Sequence, residues 1–218
     1  MIKIGITGEM GSGKSFCSKI FEQIGVPVFY SDDVARTIIN TNSELKEEIK
    51  KEFGQVYDNN GIMIPSLIRS IVFVKGSEEK LKRLNELVHP YVFNEYDNFC
   101  ELNKDKKYTL IESAILYESK LDKYLDKTIY VNTEEELRIK RTFDRSGFDR
   151  KEYQQRMSNQ IPNKESIADY VITNNDGDDV QLEGIVAEAV DDGQLEDIVA
   201  EAVKRCKLLR AIKSTTTL

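Results

Sequence analysis

The residues best able to do chemistry gather near the start of the chain. Gly8-Glu9-Met10-Gly11-Ser12-Gly13-Lys14-Ser15 spells G-x-x-x-x-G-K-[ST]. Glycines at that spacing let the backbone curl until successive N–H groups point inward at the oxygens of an anion. A helix beginning near Lys14 adds the positive end of its dipole. In such a loop the lysine reaches the β- and γ-phosphates of a nucleotide, and the Ser15 hydroxyl is offered to Mg²⁺. The candidate nucleotide-binding residues are Gly8, Gly11, Ser12, Gly13, Lys14 and Ser15, with Phe16 next in line.

A second group follows at Ser31-Asp32-Asp33-Val34-Ala35-Arg36. A carboxylate just past a strand end could take the proton of an attacking hydroxyl. The plainer alternative is that Asp32 or Asp33 caps the next helix. Arg36 could hold an acceptor or pair with an acid. Arg138, Arg141 and Arg145 lie three and four residues apart, hence on one face of a helix. That face could stabilise charge on a transferring group, or could simply be solvated beside Glu134, Glu135 and Glu136. Glu112 and Glu118 fall around a strand end and could orient Mg²⁺ or an acceptor; a structural pair is the competing reading for Glu118. His89, the chain's one histidine, precedes a proline, and a capping or substrate-holding role suits it better than acid–base chemistry.

These residues need elements to position them. Ile2, Ile4 and Ile6 form a β-branched run that reads as a buried strand ending at Thr7. Phe16, Ile20 and Ile24 recur at helical spacing up to Gly25, and Val26 to Tyr30 read as a second strand. Strand, loop, helix, strand is the opening of a βαβ architecture. Residues 32–104 read as a helical insertion, with Asn59-Asn60-Gly61 as a turn and Pro65 as a helix start. Pro90 divides two helical stretches there. Strand signals return at Tyr108–Ile111, Thr128–Val131 and Tyr170–Thr173. Thr133-x-x-Glu136 is a capping-box pattern ahead of the arginine-bearing helix. Near the C-terminus, Asp178–Val190 repeats as Asp191–Val203, differing only at Val180/Gly193 and Gly184/Asp197. Read as a C-terminal helix, the repeat turns its apolar face by about 140° between copies, so the chain should break near Asp192-Gly193 or one copy should pack poorly.

Composition narrows the classes. The chain has 218 residues, 40% hydrophobic and 32% charged, as expected of a folded α/β domain with an insertion. A net charge of −7 argues against a general nucleic-acid binder without excluding a local anion site. Three scattered cysteines and one histidine disfavour a disulfide framework or a zinc site. The opening lacks the apolar core of a signal peptide, and no stretch approaches the roughly 18 apolar residues of a membrane span. The expected setting is cytoplasmic, without membrane or nucleic-acid partners.

The P-loop fixes nucleotide binding but not the reaction. Asn103-Lys104 is followed by an Asp one place too early for the guanine-reading N-K-x-D, which weighs against a GTPase. The remaining blocks resemble the dephospho-CoA kinase family over nearly the whole chain. The loop resembles that family's G-G-x-G-S-G-K-S, and Tyr30–Arg36 resembles its D-A-D-x-x-A-R. His89-Pro90 is similar to its H-P pair. Glu112-Ser113-Ala114-Ile115-Leu116-Tyr117-Glu118 is similar to its E-x-P-L-L-F-E segment in the variant E-A-A-I-L-F-E. Arg141-Thr142-x-x-Arg145 resembles its lid arginines, and Arg156-x-x-x-Gln160 and Ala168–Asn174 resemble its last two blocks.

The resemblance implies an α/β P-loop fold with a five-stranded parallel sheet. It implies one domain over 1–218, with a helical CoA-binding insertion at about 32–104 and a lid at about 138–165. It further implies transfer of the γ-phosphoryl group of ATP, with Mg²⁺, to the 3′-hydroxyl of the dephospho-CoA ribose. Asp32 would be the base, with Lys14 and Arg141 stabilising charge. Arg141 and Asn174 would join the loop in holding ATP; Asp32, Arg36, His89 and Glu112 would hold the acceptor. Two residues depart from the family pattern. Glu9 stands in place of the usual second glycine, and its side chain is expected to point away from the phosphates. Tyr30 stands where the family has its first Asp, leaving Asp32 to carry more. Two rival readings stay open: another P-loop nucleoside or nucleotide kinase, and a nucleotide-binding switch that transfers nothing.

Overall fold

The computed structural model describes residues 1–74, 76–158, 160–175, 180–184 (backbone only) and 197–207. β-Branched and aliphatic residues build the strands β1 (Ile2–Thr7), β2 (Val28–Tyr30), β3 (Tyr108–Glu112), β4 (Lys127–Asn132) and β5 (Tyr170–Asn174). These five form the expected parallel sheet, and the full order is β2-β3-β1-β4-β5-β6. β1 lies between β3 and β4, pairing Ile4 with Leu110 on one side and Lys127 on the other. In a parallel sheet the crossover connections cover both faces, which explains the continuous rather than alternating burial from Ile4 to Thr7.

The sixth strand is a correction. β6 (Val180–Gly184) pairs antiparallel with β5, from Asn174↔Val180 to Tyr170↔Gly184. These residues open the first copy of the repeat, read above as helical. The edge of β5 offers unpaired N–H and C=O groups, and Val180 and Leu182 alternate with Gln181 and Glu183 at the strand period. In the second copy, residues 197–207 are helical. The break expected near Asp192-Gly193 lies outside the described residues.

Two compact units divide the chain, one of Met1–Phe29 with Asn103–Leu218, the other Tyr30–Leu102. In the first, Ile4, Ile6, Leu110, Ile129, Val131 and Ile172 from the sheet meet Cys17, Ile20 and Phe21 of α1 (Lys14–Gln23). Val199, Ala202, Val203 and Cys206 of the C-terminal helical residues join the same core. Burying one such aliphatic side chain contributes about 1.5–3 kcal/mol. At Gly5, any Cβ would come within 2.5 Å of Leu116 and Leu125, so the segment after β3 presses closely on the strand. After β4 come α6 (Glu135–Ser146) and α7 (Arg150–Met157).

The second unit is helical: α2 (Ser31–Thr41), α3 (Ser43–Phe53), α4 (Pro65–Val72) and α5 (Glu78–Leu102). Asn42 caps α3 by accepting from the Leu45 amide at 2.9 Å. The predicted Asn59-Asn60-Gly61 turn closes a small hairpin in which Tyr57 bridges Met63. The division at Pro90 does not occur; α5 runs through it as one helix. Proline removes a single hydrogen bond from the ladder. Val88, Val92, Tyr96 and Cys100, on one apolar face to either side of it, are all buried and hold the helix together. Among the described residues no helix is long and apolar enough to cross a membrane.

Candidate active site

The strand order turns about β1, and in open α/β sheets ligands bind beyond the carboxyl ends of strands at such a point. Residues 8–13 occupy that position. Gly11 and Gly13 have φ of 83° and 88°, the left-handed region in which side chains are strained. Space forbids a side chain there as well. A Cβ on Gly11 would lie 2.4 Å from the Arg138 carbonyl oxygen, and one on Gly13 would lie 2.2 Å from Asn174 Nδ2. Gly8 lies against β4, where a Cβ would come within 2.7 Å of the Val131 carbonyl oxygen. Gly13 caps α1, and its carbonyl accepts from the Phe16 and Cys17 amides at 2.9 and 3.1 Å. The curl thus ends on a helix N-terminus, where backbone N–H groups lack intrahelical partners and favour anions.

Lys14 and Ser15 open α1 and meet one carboxylate. Ser15 Oγ donates to Glu112 Oε1 at 2.7 Å, and Lys14 Nζ lies 3.9 Å from the same oxygen. Glu112 ends β3 with its side chain 7% exposed, so its charge is held beside the loop in a partly dry setting. The sequence leaves Glu112 open between orienting Mg²⁺ and holding the acceptor; in the structure it lies beside Ser15 and Lys14 of the loop. A hydroxyl and a carboxylate form a hard-oxygen pair of the kind Mg²⁺ accepts while it keeps waters and phosphates as its other ligands. The donor set therefore fits that ion. Among the described residues no group of three His, Cys, Asp or Glu could hold a metal unaided.

Asn174, fully buried at the end of β5, donates from Nδ2 to the Ser12 carbonyl at 2.6 Å. Through that bond it holds the loop at Ser12. The Thr133 hydroxyl lies 2.9 Å from the Ser12 carbonyl and 3.0 Å from that of Asn174. The expected capping box at Thr133 is therefore absent: the hydroxyl is drawn to the loop, and α6 starts at Glu135 with no side-chain cap. The box forms instead at α7, between Asp149 and Glu152. Phe16 packs on the core. Ser12 is fully buried, and its hydroxyl finds no partner among the described residues.

α6 lies over the loop. Arg141 donates from Nη1 to the Asn174 carbonyl at 3.0 Å and reaches the Gly11 carbonyl at 3.5 Å. Arg138 pairs with Glu9, whereas Arg145 is exposed. The single arginine face read from spacing is thus split among three environments. Sequence reasoning also missed Lys164, whose side chain is 1% exposed. It pairs with Glu118 at 2.6 Å and reaches the Ala114 carbonyl and Gln160 Oε1, both at 3.3 Å. Within Asn163-Lys164-Glu165-Ser166 it reads as solvated, and nothing local marks it otherwise. For Glu118 the structural pair is the outcome.

The other acceptor candidates belong to the helical unit. Asp32 and Asp33 lie in the first turn of α2, where their charge suits the helix dipole. Tyr30 is the N-cap residue, so neither aspartate caps. Asp32 is exposed. Arg36 pairs with Asp33 at 2.9 Å, both exposed. His89 sits inside α5, stacked on Phe93 at 5.8 Å between ring centroids, which removes a capping role. Burial lowers its pKa, and its Nε2 has no partner among the described residues.

Relatives place this geometry in a family. A family model described as dephospho-CoA kinase matches residues 2–179. The chain is 35% identical over 175 residues to the dephospho-CoA kinase of Fusobacterium nucleatum, covering 79% of this chain and 89% of that protein. The chain belongs to the dephospho-CoA kinase family. A second family member, from Shouchella clausii, is 32% identical over 179 residues, covering 80% of this chain and 90% of its own. Among solved structures, TT1252 from Thermus thermophilus superposes with a TM-score of 0.69 at 27% identity, covering 99% of this chain and 96% of that one. A dephospho-CoA kinase from Campylobacter jejuni shares the fold, with a TM-score of 0.52 at 21% identity over 96% of this chain and 97% of its own.

Proposed function

We propose that the chain phosphorylates the 3′-hydroxyl of the dephospho-CoA ribose with ATP, giving CoA and ADP, the last step of CoA biosynthesis. Family membership supports the choice of acceptor. The observation that carries the phosphoryl chemistry is the convergence of Ser15 and Lys14 on Glu112 beneath a glycine curl that leaves no room for side chains.

In this reading the loop amides and Lys14 hold the β- and γ-phosphates. Mg²⁺, held through Ser15 with Glu112 beside it, supplies neutralisation of phosphate charge when bound. Asp32 accepts the proton of the acceptor hydroxyl as its oxygen bonds to the γ-phosphorus. The bond from that phosphorus to the β,γ-bridging oxygen breaks, and ADP leaves with the electron pair. Lys14 and Arg141 stabilise charge on the transferring group. Arg36 and His89 bind the acceptor, and ATP binding draws on Gly8, Gly11, Ser12, Gly13 and Phe16 through their backbone. Asn174 contributes by holding Ser12. α6 and α7 serve as a lid that excludes water. Each helix buries only one side chain, Thr142 and Tyr153 respectively, as suits an element that opens at low cost.

The test is phosphate transfer from ATP to dephospho-CoA set against a panel of nucleosides and nucleoside monophosphates. Turnover with dephospho-CoA far above every other acceptor supports the reading. Preference for a nucleoside monophosphate makes the chain a different small-molecule kinase. Slow ATP hydrolysis indifferent to all acceptors makes it a switch.

A further inference from the structure

Glu9 puts a negative charge inside a loop built for a polyanion. Left alone, that charge would oppose phosphate binding. Its side chain is 21% exposed and engages Arg138, itself 14% exposed, so the pair is largely shielded from solvent. Arg138 is also where α6 touches the loop. A Cβ on Gly11 would meet the Arg138 carbonyl oxygen at 2.4 Å and its Cα at 2.9 Å, with Thr142 Oγ1 at 2.8 Å. Arg141, three residues on along the same helical face, reaches the Gly11 and Asn174 carbonyls. Arg138 bears on α7 as well, since its charge acts on the buried Tyr153 hydroxyl and opposes the rise in pKa that burial causes.

We propose that Glu9 and Arg138 form a positioning pair that seats α6 on the phosphate loop, sets Arg141 over Gly11–Gly13, and cancels the loop's own acid next to the triphosphate. This rests on the reading of the loop as the ATP site. Arg138 then spends its charge on the protein, while Arg141 is held beside the loop carbonyls. The pair joins two residues on separate elements, so disturbing one partner should be partly relieved by disturbing the other.

The experiment is a double-mutant cycle on the full chain: Arg138→Gln, Glu9→Gln, both together, and Arg138→Lys. ATP Kd, KM for ATP, kcat and thermal unfolding are measured for each. Arg138→Gln strands the Glu9 carboxylate and is expected to raise KM and Kd for ATP at least tenfold. Glu9→Gln is expected to change them less than threefold, the double variant to recover most of the loss, and Arg138→Lys to recover part of it. Equal weakening in Arg138→Gln and the double variant overturns the proposal. So does a lowered Tm with ATP affinity unchanged, which marks a merely structural contact. If Arg138→Gln does not fold, Glu9→Gln in the Arg138→Lys background carries the test: relief of the Arg138→Lys defect supports the pair, and no relief overturns it. Failure of the unmodified protein to bind ATP would instead remove the reading of the loop, and this inference with it.

Discussion

In the proposed reading Asp32 is the base, and Asn in its place keeps the shape while removing that base. The expected loss in kcat is about 10²–10⁴-fold, the range of general-base contributions, with ATP Kd changed only modestly. Steady-state kinetics with a parallel ATP titration check this; normal turnover would show that Asp32 is not the base. Residues answering to local demands were legible in the chain. Gly11 and Gly13 are required by their own φ values and by immediate neighbours, so a pattern of glycines reveals them. Residues answering to distant partners were not. Ser15 and Glu112 are separated by 97 positions, and only the parallel register of β1 with β3 brings them together. Glu9 was visible as an oddity in its loop, but its partner Arg138 was indistinguishable from a solvated helix arginine.

At the scale of elements, the return of the chain after α7 depends on a buried charge. Removing the ammonium in Lys164→Met leaves Glu118 without its main counter-charge, beside the Ile161 amide that donates to it at 3.0 Å. Breaking a buried pair in this way costs about 3–5 kcal/mol. Denaturant unfolding should therefore show a large loss for Lys164→Met, and a smaller one for Lys164→Met combined with Glu118→Gln. Equal losses would mean the pair is not the anchor. Helix α5 carries a pH-dependent term. Burial lowers the pKa of His89 in the folded chain from its ordinary value of 6.5, so the unfolded chain binds more protons in the window just below that value. Stability is thus fully present above about pH 6.5 and declines as pH falls towards the folded pKa. The Tm of His89→Gln should vary less between about pH 7 and 5.5 than that of the unmodified protein; identical pH profiles would contradict the assignment. Element types were mostly legible, since Ile2–Thr7 and the α1 stripe declare their periods. Pro90 and Thr133 misled for one reason. A local rule was overruled by packing in the first case and by a competing acceptor in the second.

For the whole molecule, the five parallel strands followed from alternating strand and helix signals, while β6 did not. Val180–Gly184 belongs to a repeat whose other copy is helical over 197–203, so sequence pattern alone could not assign both. What the fold supplies is a loop at the carboxyl end of β1, a carboxylate at the end of β3, and an arginine-bearing helix after β4, all within one unit. Asp32, Arg36 and His89 belong to the helical unit. The most direct test follows the phosphorus itself. The protein is incubated with γ-labelled ATP and dephospho-CoA, and the product is examined by ³¹P NMR and mass spectrometry. The expected result is label in a single new monoester on the ribose 3′-oxygen, formed one for one with ADP. Label found only in inorganic phosphate, or on any other oxygen of the acceptor, would contradict the account.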